Sequence, residues 1–224
     1  MTALSRHLAP TRVIDLDEPS VADFAQRRAG SGTERERAVR LYYAVRDGIR
    51  YDPYAFRMEI DDFKASQVLR SRSTWCVPKA ILLAAACRQQ GIPARLGFAD
   101  VRNHLATERL LALMDTDLFV WHGYVSILLE GKWVKATPAF NIEMCQRFEV
   151  LPLEFDGTAD SLMHPFNARN QRHMEYVQDR GTFDDLPHAE LVADMRRVYS
   201  RLIALAESRA LEGRFDTDSI RRET

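Results

Sequence analysis

The stretch "STWCVPKAILLAAACRQQGIPARLGF", residues 73 to 98, constrains the fold more than any other part of the chain. From Ala80 to Cys87 it reads Ala-Ile-Leu-Leu-Ala-Ala-Ala-Cys, with no polar side chain for water to solvate. A helix that is apolar all round has to be surrounded by other elements, so it belongs in the middle of the fold. Gly91 suits the C′ position, and Pro93 follows where it no longer harms the helix. At the other end Pro78 sits in the first turn, where a missing N–H has no helical partner to lose. The helix therefore opens on Cys76, at a boundary where Ser, Thr, Asp or Asn is usual.

The segments around this helix are predicted by their own local signals. Residues 1–32 read as a lead-in with a short helix near Ser20–Arg28, closed by "GSG". Thr33 and Glu36 have the T-x-x-E spacing of a capping box, and Leu41, Tyr42, Val45 and Ile49 then line one helix face. A further short helix is expected over 63–70, and "ARLGFADV" reads as a strand leaving the central helix. Residues 105–118 mix helical leucine spacing with acids. "LFVWHGYVSILL", "EG" and "KWVKATP" predict two strands and a tight turn. After Pro138 the chain reads as loop to about residue 186. Leu191, Met195, Val198, Leu202 and Leu205 then mark one long amphipathic helix from about Pro187 to Leu211. About three heptads favour packing of that helix on the body, with a homodimer through it as the other use. The division expected is a lead-in at 1–32, a core at 33–145 and a loop-rich extension with the long helix at 146–224.

Composition excludes several classes. The 224 residues suffice for one good-sized domain, and 46% hydrophobic with 28% charged residues is an ordinary globular balance. A net charge of −1 argues against a nucleic-acid partner, which calls for a basic excess or stripe. The opening residues lack the apolar core of a signal peptide, and "AILLAAAC" is too short to span a bilayer. No membrane partner and a cytoplasmic location are the expectation. Three cysteines with no CxxC pair argue against a disulfide framework or a zinc site, and no calcium-loop spacing is visible. No metal and no cofactor are expected.

Chemistry concentrates on two residues. Free N–H groups and the dipole at a helix start favour a thiolate at Cys76, and the same groups can receive an oxyanion. His122 sits mid-strand in "FVWHGYVSI", where alternation puts Val120, His122 and Tyr124 on one face. A thiol beside an imidazole is the arrangement of nucleophilic catalysis. Taken singly, a buried cysteine and a core histidine are each common packing residues; it is their pairing that carries the functional reading. A third polar group should orient the imidazole. Thr137 falls near the right level on the returning strand, and Asn141 lies just beyond Pro138. Trp75, Trp121, Asn141, Arg102 and Asn103 are the candidate substrate-binding residues. Cys87 lies eleven residues on, about 16 Å along the helix, too far to act with Cys76.

Cys76 opening a helix, then "CRQQGIPARLGF", His122 in a strand, "GKWV" at 131–134 and Thr137–Pro138 together resemble the transglutaminase-like (papain-like cysteine protease) superfamily. The upstream "AVRLYYAVRDGIRYD" resembles the helix that precedes the cysteine helix there, so the likeness covers roughly residues 34–141. The family pattern has H-A-W and an aspartate before the proline; this chain has Gly123 after His122 and Thr137 at the aspartate position. The resemblance implies an α+β fold with the cysteine helix packed on an antiparallel sheet and extra helices at both ends. It implies Cys76 attack on an amide of a protein, a peptide or a small molecule, with His122 moving the proton and Thr137 orienting it. A thioester then passes to water or to an amine. The replacement of aspartate by Thr137 keeps a second reading open, a binding member without turnover. A thiol-dependent acetyltransferase is a third reading, for which no acyl-CoA site is visible.

Overall fold

A computed structural model describes residues 4–103, 106–162 and 174–208, together with residues 215 and 218. The helices are α1 (Pro19–Ala29), α2 (Glu34–Gly48), α3 (Ala65–Ser71), α4 (Cys76–Gln89), α5 (Glu108–Met114), α6 (Ile142–Arg147), α7 (His188–Val198) and α8 (Ser200–Glu207). The strands are β1 (Arg50–Tyr51), β2 (Ser73–Thr74), β3 (Ala94–Asn103), β4 (Leu118–Leu129), β5 (Lys132–Ala136) and β6 (Met174–Phe183).

The fold is the expected α+β arrangement, with α4 at its centre. Every residue of α4 from Val77 to Arg88 is buried, and Ile81, Leu82 and Leu83 are wholly inaccessible. Burial of such side chains stabilises by about 1.5–3 kcal/mol each. The helix stops as its sequence requires. Gly91 takes φ +73°, and its N–H donates to Arg88 O while Ile92 N–H donates to Cys87 O, both at 2.9 Å. That pair of bonds is a Schellman closure. Arg88, also buried, reaches the carbonyls of Ala94, Ala9 and Asp184 and ties the helix end to three other segments.

Against α4 lies an antiparallel sheet in the order β5-β4-β3-β6. β4 and β5 turn through Glu130 and Gly131, both at positive φ (50° and 79°), the geometry of a two-residue hairpin. The capping box at α2 is complete, with Thr33 Oγ1 accepting from Glu36 N–H and Glu36 Oε2 accepting from Thr33 N–H. β1 and β2 pair in parallel, and Asp52 N–H donates to Thr74 O at 2.9 Å. This short pairing brings the end of α2 to the residue just before α4, so Tyr51 and Trp75 both line the cavity at the start of the cysteine helix.

Three expectations need correction. The region read as loop up to residue 186 contains α6, a helix of only six residues, and β6, whose residues are mostly exposed and so lack the half-buried alternation that signals a strand. The long C-terminal helix is two helices broken at Tyr199 (φ −118°, ψ 43°), whose phenol is fastened to β4. The stripe on these helices is used within the chain, with Leu191, Met195 and Leu202 buried; residues 209–211 lie outside the described residues. Finally, strict alternation along β4 fails at Trp121, because the β3–β4 register shifts between Ala99, paired with His122, and Val101, paired with Phe119. Val120 and Trp121 thus stand opposite Asp100 alone, a β-bulge.

Candidate active site

Cys76 is the first residue of α4 and is 7% exposed. It and His122 line one cavity of about 40 Å³, room for about three water-sized spheres. Tyr51, Phe56, Trp75, Leu110, Phe119, Val120, Met195, Tyr199 and Leu202 contribute to the wall, and among the described residues no charged side chain does.

Gly123 explains how the helix and the strand come so close. A Cβ on Gly123 would stand 3.0 Å from Val77 Cα and 3.4 Å from Ala80 Cβ. The bare backbone lets the first turn of α4 lie directly on β4, next to His122. The amide N–H groups of Gly123, Val77 and Cys76 all act on the sulfur. Burial outweighs them and pushes the Cys76 thiol up to about 11, against the amides, which pull it down. The thiolate expected from the helix start is therefore not the resting form. The helix end supplies its donors, but the loss of solvation is larger.

Thr137 follows the last paired residue of β5, Ala136, which faces Val125. Continued by one step, that register sets Thr137 level with Tyr124, two residues from His122. Its backbone is held by Ser161 O and Tyr42 Oη. Its Oγ1 is buried and has no hydrogen-bond partner among the described residues, so the hydroxyl is not on the imidazole in this conformation.

The candidate substrate-binding residues separate. Trp75 lines the Cys76 cavity, packed on Phe56 and Phe63. The other four are placed outside its wall. Trp121 packs on Phe98 and under Arg180. Asn141 is occupied, with Oδ1 accepting from Tyr51 N–H and Nδ2 donating to Glu143. Arg102 pairs with Asp117 at 3.4 Å, and Asn103 lines a second cavity with Phe140 and Phe148. His104, His164 and His173 lie outside the described residues.

The residues that sequence reasoning missed are the cavity's aromatic and aliphatic wall. Tyr51 comes from the β1–β2 pairing, Leu110 and Met114 from α5, and Met195, Tyr199 and Leu202 from the C-terminal helices. The amphipathic stripe through Met195 and Leu202 was the available signal, but nothing in it says which surface it covers. Among the described residues no group of three or more His, Cys, Asp or Glu could hold a metal ion, and no helix is long and apolar enough to cross a membrane.

The model of the transglutaminase-like superfamily matches residues 22–138, which include Cys76, His122 and Thr137. No curated protein matches the sequence. Among solved structures, a candidate cysteine protease from Cytophaga hutchinsonii superposes with a TM-score of 0.48 at 14% identity, over 82% of this chain and 55% of that one. A candidate protease from Parabacteroides distasonis gives 0.38 at 21% identity, over 56% and 26%. The chain thus spans about half of the first of these proteins and about a quarter of the second. With the family model covering more than half of its length, from α1 to the residue after Thr137, the chain belongs to the transglutaminase-like superfamily.

Proposed function

We propose that this chain is a cysteine enzyme acting on amide bonds of a peptide, a protein or a small molecule. The observation that carries the reading is the meeting of Cys76 and His122 in one cavity, with the Gly123 N–H directed at the sulfur. In the proposed reaction Cys76 Sγ gives its proton to His122 and attacks the carbonyl carbon. The oxyanion takes hydrogen bonds from the N–H groups at the start of α4. Breakdown expels the amine, which leaves with the proton held on His122, and a thioester remains. Water or a second amine then attacks, and the acyl group departs by hydrolysis or transfer.

Because burial holds the thiol up, proton transfer to His122 has to accompany attack rather than precede it. This supports a second reading, a family member that binds peptides with little turnover, since Thr137 brings no charge to stabilise an imidazolium. Alkylation by iodoacetamide, followed across pH with Cys87 and Cys145 as internal controls, separates the two. The enzyme reading expects part of the Cys76 rate near neutral pH to depend on His122, and His122→Ala to remove that part. A Cys76 rate unchanged in His122→Ala defeats it.

A further inference from the structure

Trp121, the residue just before His122, has φ +59°. A bulky side chain in the left-handed region is an outlier, and such strain persists only where the surroundings impose it. Here the surroundings can be named. The Trp121 N–H donates to Asp100 Oδ1 at 3.0 Å, and the indole Nε1–H donates to Asp194 Oδ2 at 3.0 Å. Arg180 joins the two acids. Its Nε and Nη2 donate to Asp100 at 2.5 and 2.9 Å, its Nη1 donates to Asp194 at 2.6 Å, and its guanidinium lies 4.5 Å over the indole ring. Asp100 itself is 5% exposed. Every polar hydrogen of Trp121 therefore ends on this cluster.

We infer that Asp100, Arg180 and Asp194 are positioning residues for His122. They hold Trp121 in its left-handed turn and so set the direction in which the next residue leaves the strand towards Cys76. This rests on the reading of Cys76 and His122 as the reacting pair. The bulge is what makes the cluster more than a stabilising ion network. An extra residue in β4 re-aims the side chain that follows it, and bulges serve that purpose beside active sites. Asp100 lies on β3, Arg180 on β6 and Asp194 on α7. The last two lie beyond the segment that matches the family model, residues 22–138. The C-terminal part of the chain thus completes a site whose reacting residues it does not contain.

The test is the pH profile of Cys76 alkylation in the full chain, with Cys87 labelling as the gauge of unfolding. His122→Ala, Asp100→Ala, Asp100→Asn and Arg180→Gln are compared with the parent. Asp100→Ala removes the acceptor for Trp121 N–H and is expected to lose the His122-dependent rate. A 1 Å misplacement of a reacting group costs on the order of 100-fold, and the loss is bounded by that of His122→Ala. Asp100→Asn keeps an acceptor and should recover most of the rate. A role in stability alone would expose Cys87 and leave the shape of the profile intact. If His122→Ala slows alkylation while a folded Asp100→Ala keeps the parent profile, the positioning role is refuted and the reacting pair stands. If His122→Ala changes nothing, both fall. Should Asp100→Ala label at Cys87, Arg180→Gln decides by the same criteria. Should that variant also unfold, folded Asp100→Asn decides: a His122-dependent rate close to the parent's is the expected result, and a rate as low as that of His122→Ala refutes the positioning role.

Discussion

Lys79 lies one turn into α4 and is wholly inaccessible to solvent. A cation at a helix N-terminus is unfavourable, but the side chain reaches across to the end of α2. There Nζ donates to Arg46 O at 2.7 Å and to Ile49 O at 2.5 Å. A neutral amine has two N–H donors, enough for both carbonyls, so losing the proton costs neither bond. Burial pulls the ammonium down to about 7 from its ordinary 10.5, opposed chiefly by Asp47. Between those values the unfolded chain holds a proton that the folded chain does not. Stability contributed by this group must then rise with pH through that window, and be lost as pH falls through about 7.

The magnitude follows from the titration curve. Each pH unit over which one proton separates the two states is worth about 1.4 kcal/mol. The folded group is half titrated at the start of the range, so the rise from pH 7 to 9 amounts to about 2 kcal/mol. The perturbation is Lys79→Met, which keeps the volume and removes the titration. The assay is urea unfolding of both proteins at pH 7, 8 and 9, read as the difference between them. Taking that difference cancels the buried cysteines, which carry the opposite sign: Cys76 and Cys87 are pushed up to about 11 and about 12, and their stabilisation is lost as pH rises past the ordinary 9.0. The parent should gain about 2 kcal/mol on the variant across the range. A difference that is flat or falls with pH refutes the neutral-amine account and means that the two carbonyls hold a charged lysine.

Two further substitutions test the close packing and the third residue of the site. Gly123→Ala puts a Cβ 3.0 Å from Val77 Cα; a backbone contact that tight should destabilise by about 1–3 kcal/mol and slow Cys76 alkylation, and denaturant midpoints equal to the parent's would show that α4 yields freely. Thr137→Asp restores a carboxylate where the family carries one. It should raise the neutral-pH alkylation rate of Cys76 in a His122-dependent way while lowering stability, because the position is 2% exposed. Alkylation unchanged in a folded Thr137→Asp protein would remove Thr137 from the site.

What was legible in the sequence was local. The all-apolar run of α4, Gly91 after it, the Thr33–Glu36 box and the Glu130–Gly131 turn each need only neighbours within a few residues, and each is in place. What stayed illegible depends on pairing across the chain. The bulge at Trp121 exists because Asp100, 21 positions earlier, offers an acceptor to its N–H. The break at Tyr199 interrupts a hydrophobic stripe that runs straight through it, because the phenol accepts from Val120 N–H and donates to Leu118 O. Both meet β4 within a few residues of His122. The cavity wall was hidden for the same reason, since apolar residues on five elements and the segments between them carry no mark of which of them will face a thiol.

The missing carboxylate and the raised thiol are two sides of one electrostatic fact. Around Cys76 and His122 the walls are aromatic and aliphatic, and such surroundings disfavour any charge that lacks a partner. A thiolate–imidazolium pair would need a third charge or water to stand against that cost. Thr137 provides a hydroxyl, and the Cys76 thiol, pushed up to about 11, keeps its proton. The thiol side of the pair then carries no charge at rest. A buried aspartate needs a positive partner, and no thiolate is present to draw a proton onto the imidazole, so at this position a threonine is the less costly residue for as long as the thiol rests uncharged. Charge has to appear only when a carbonyl enters and its oxygen takes the N–H groups at the start of α4. In this chain the helix end therefore serves the oxyanion of the attacked carbonyl more than the thiolate, and reactivity depends on how accurately His122 is aimed when the proton moves.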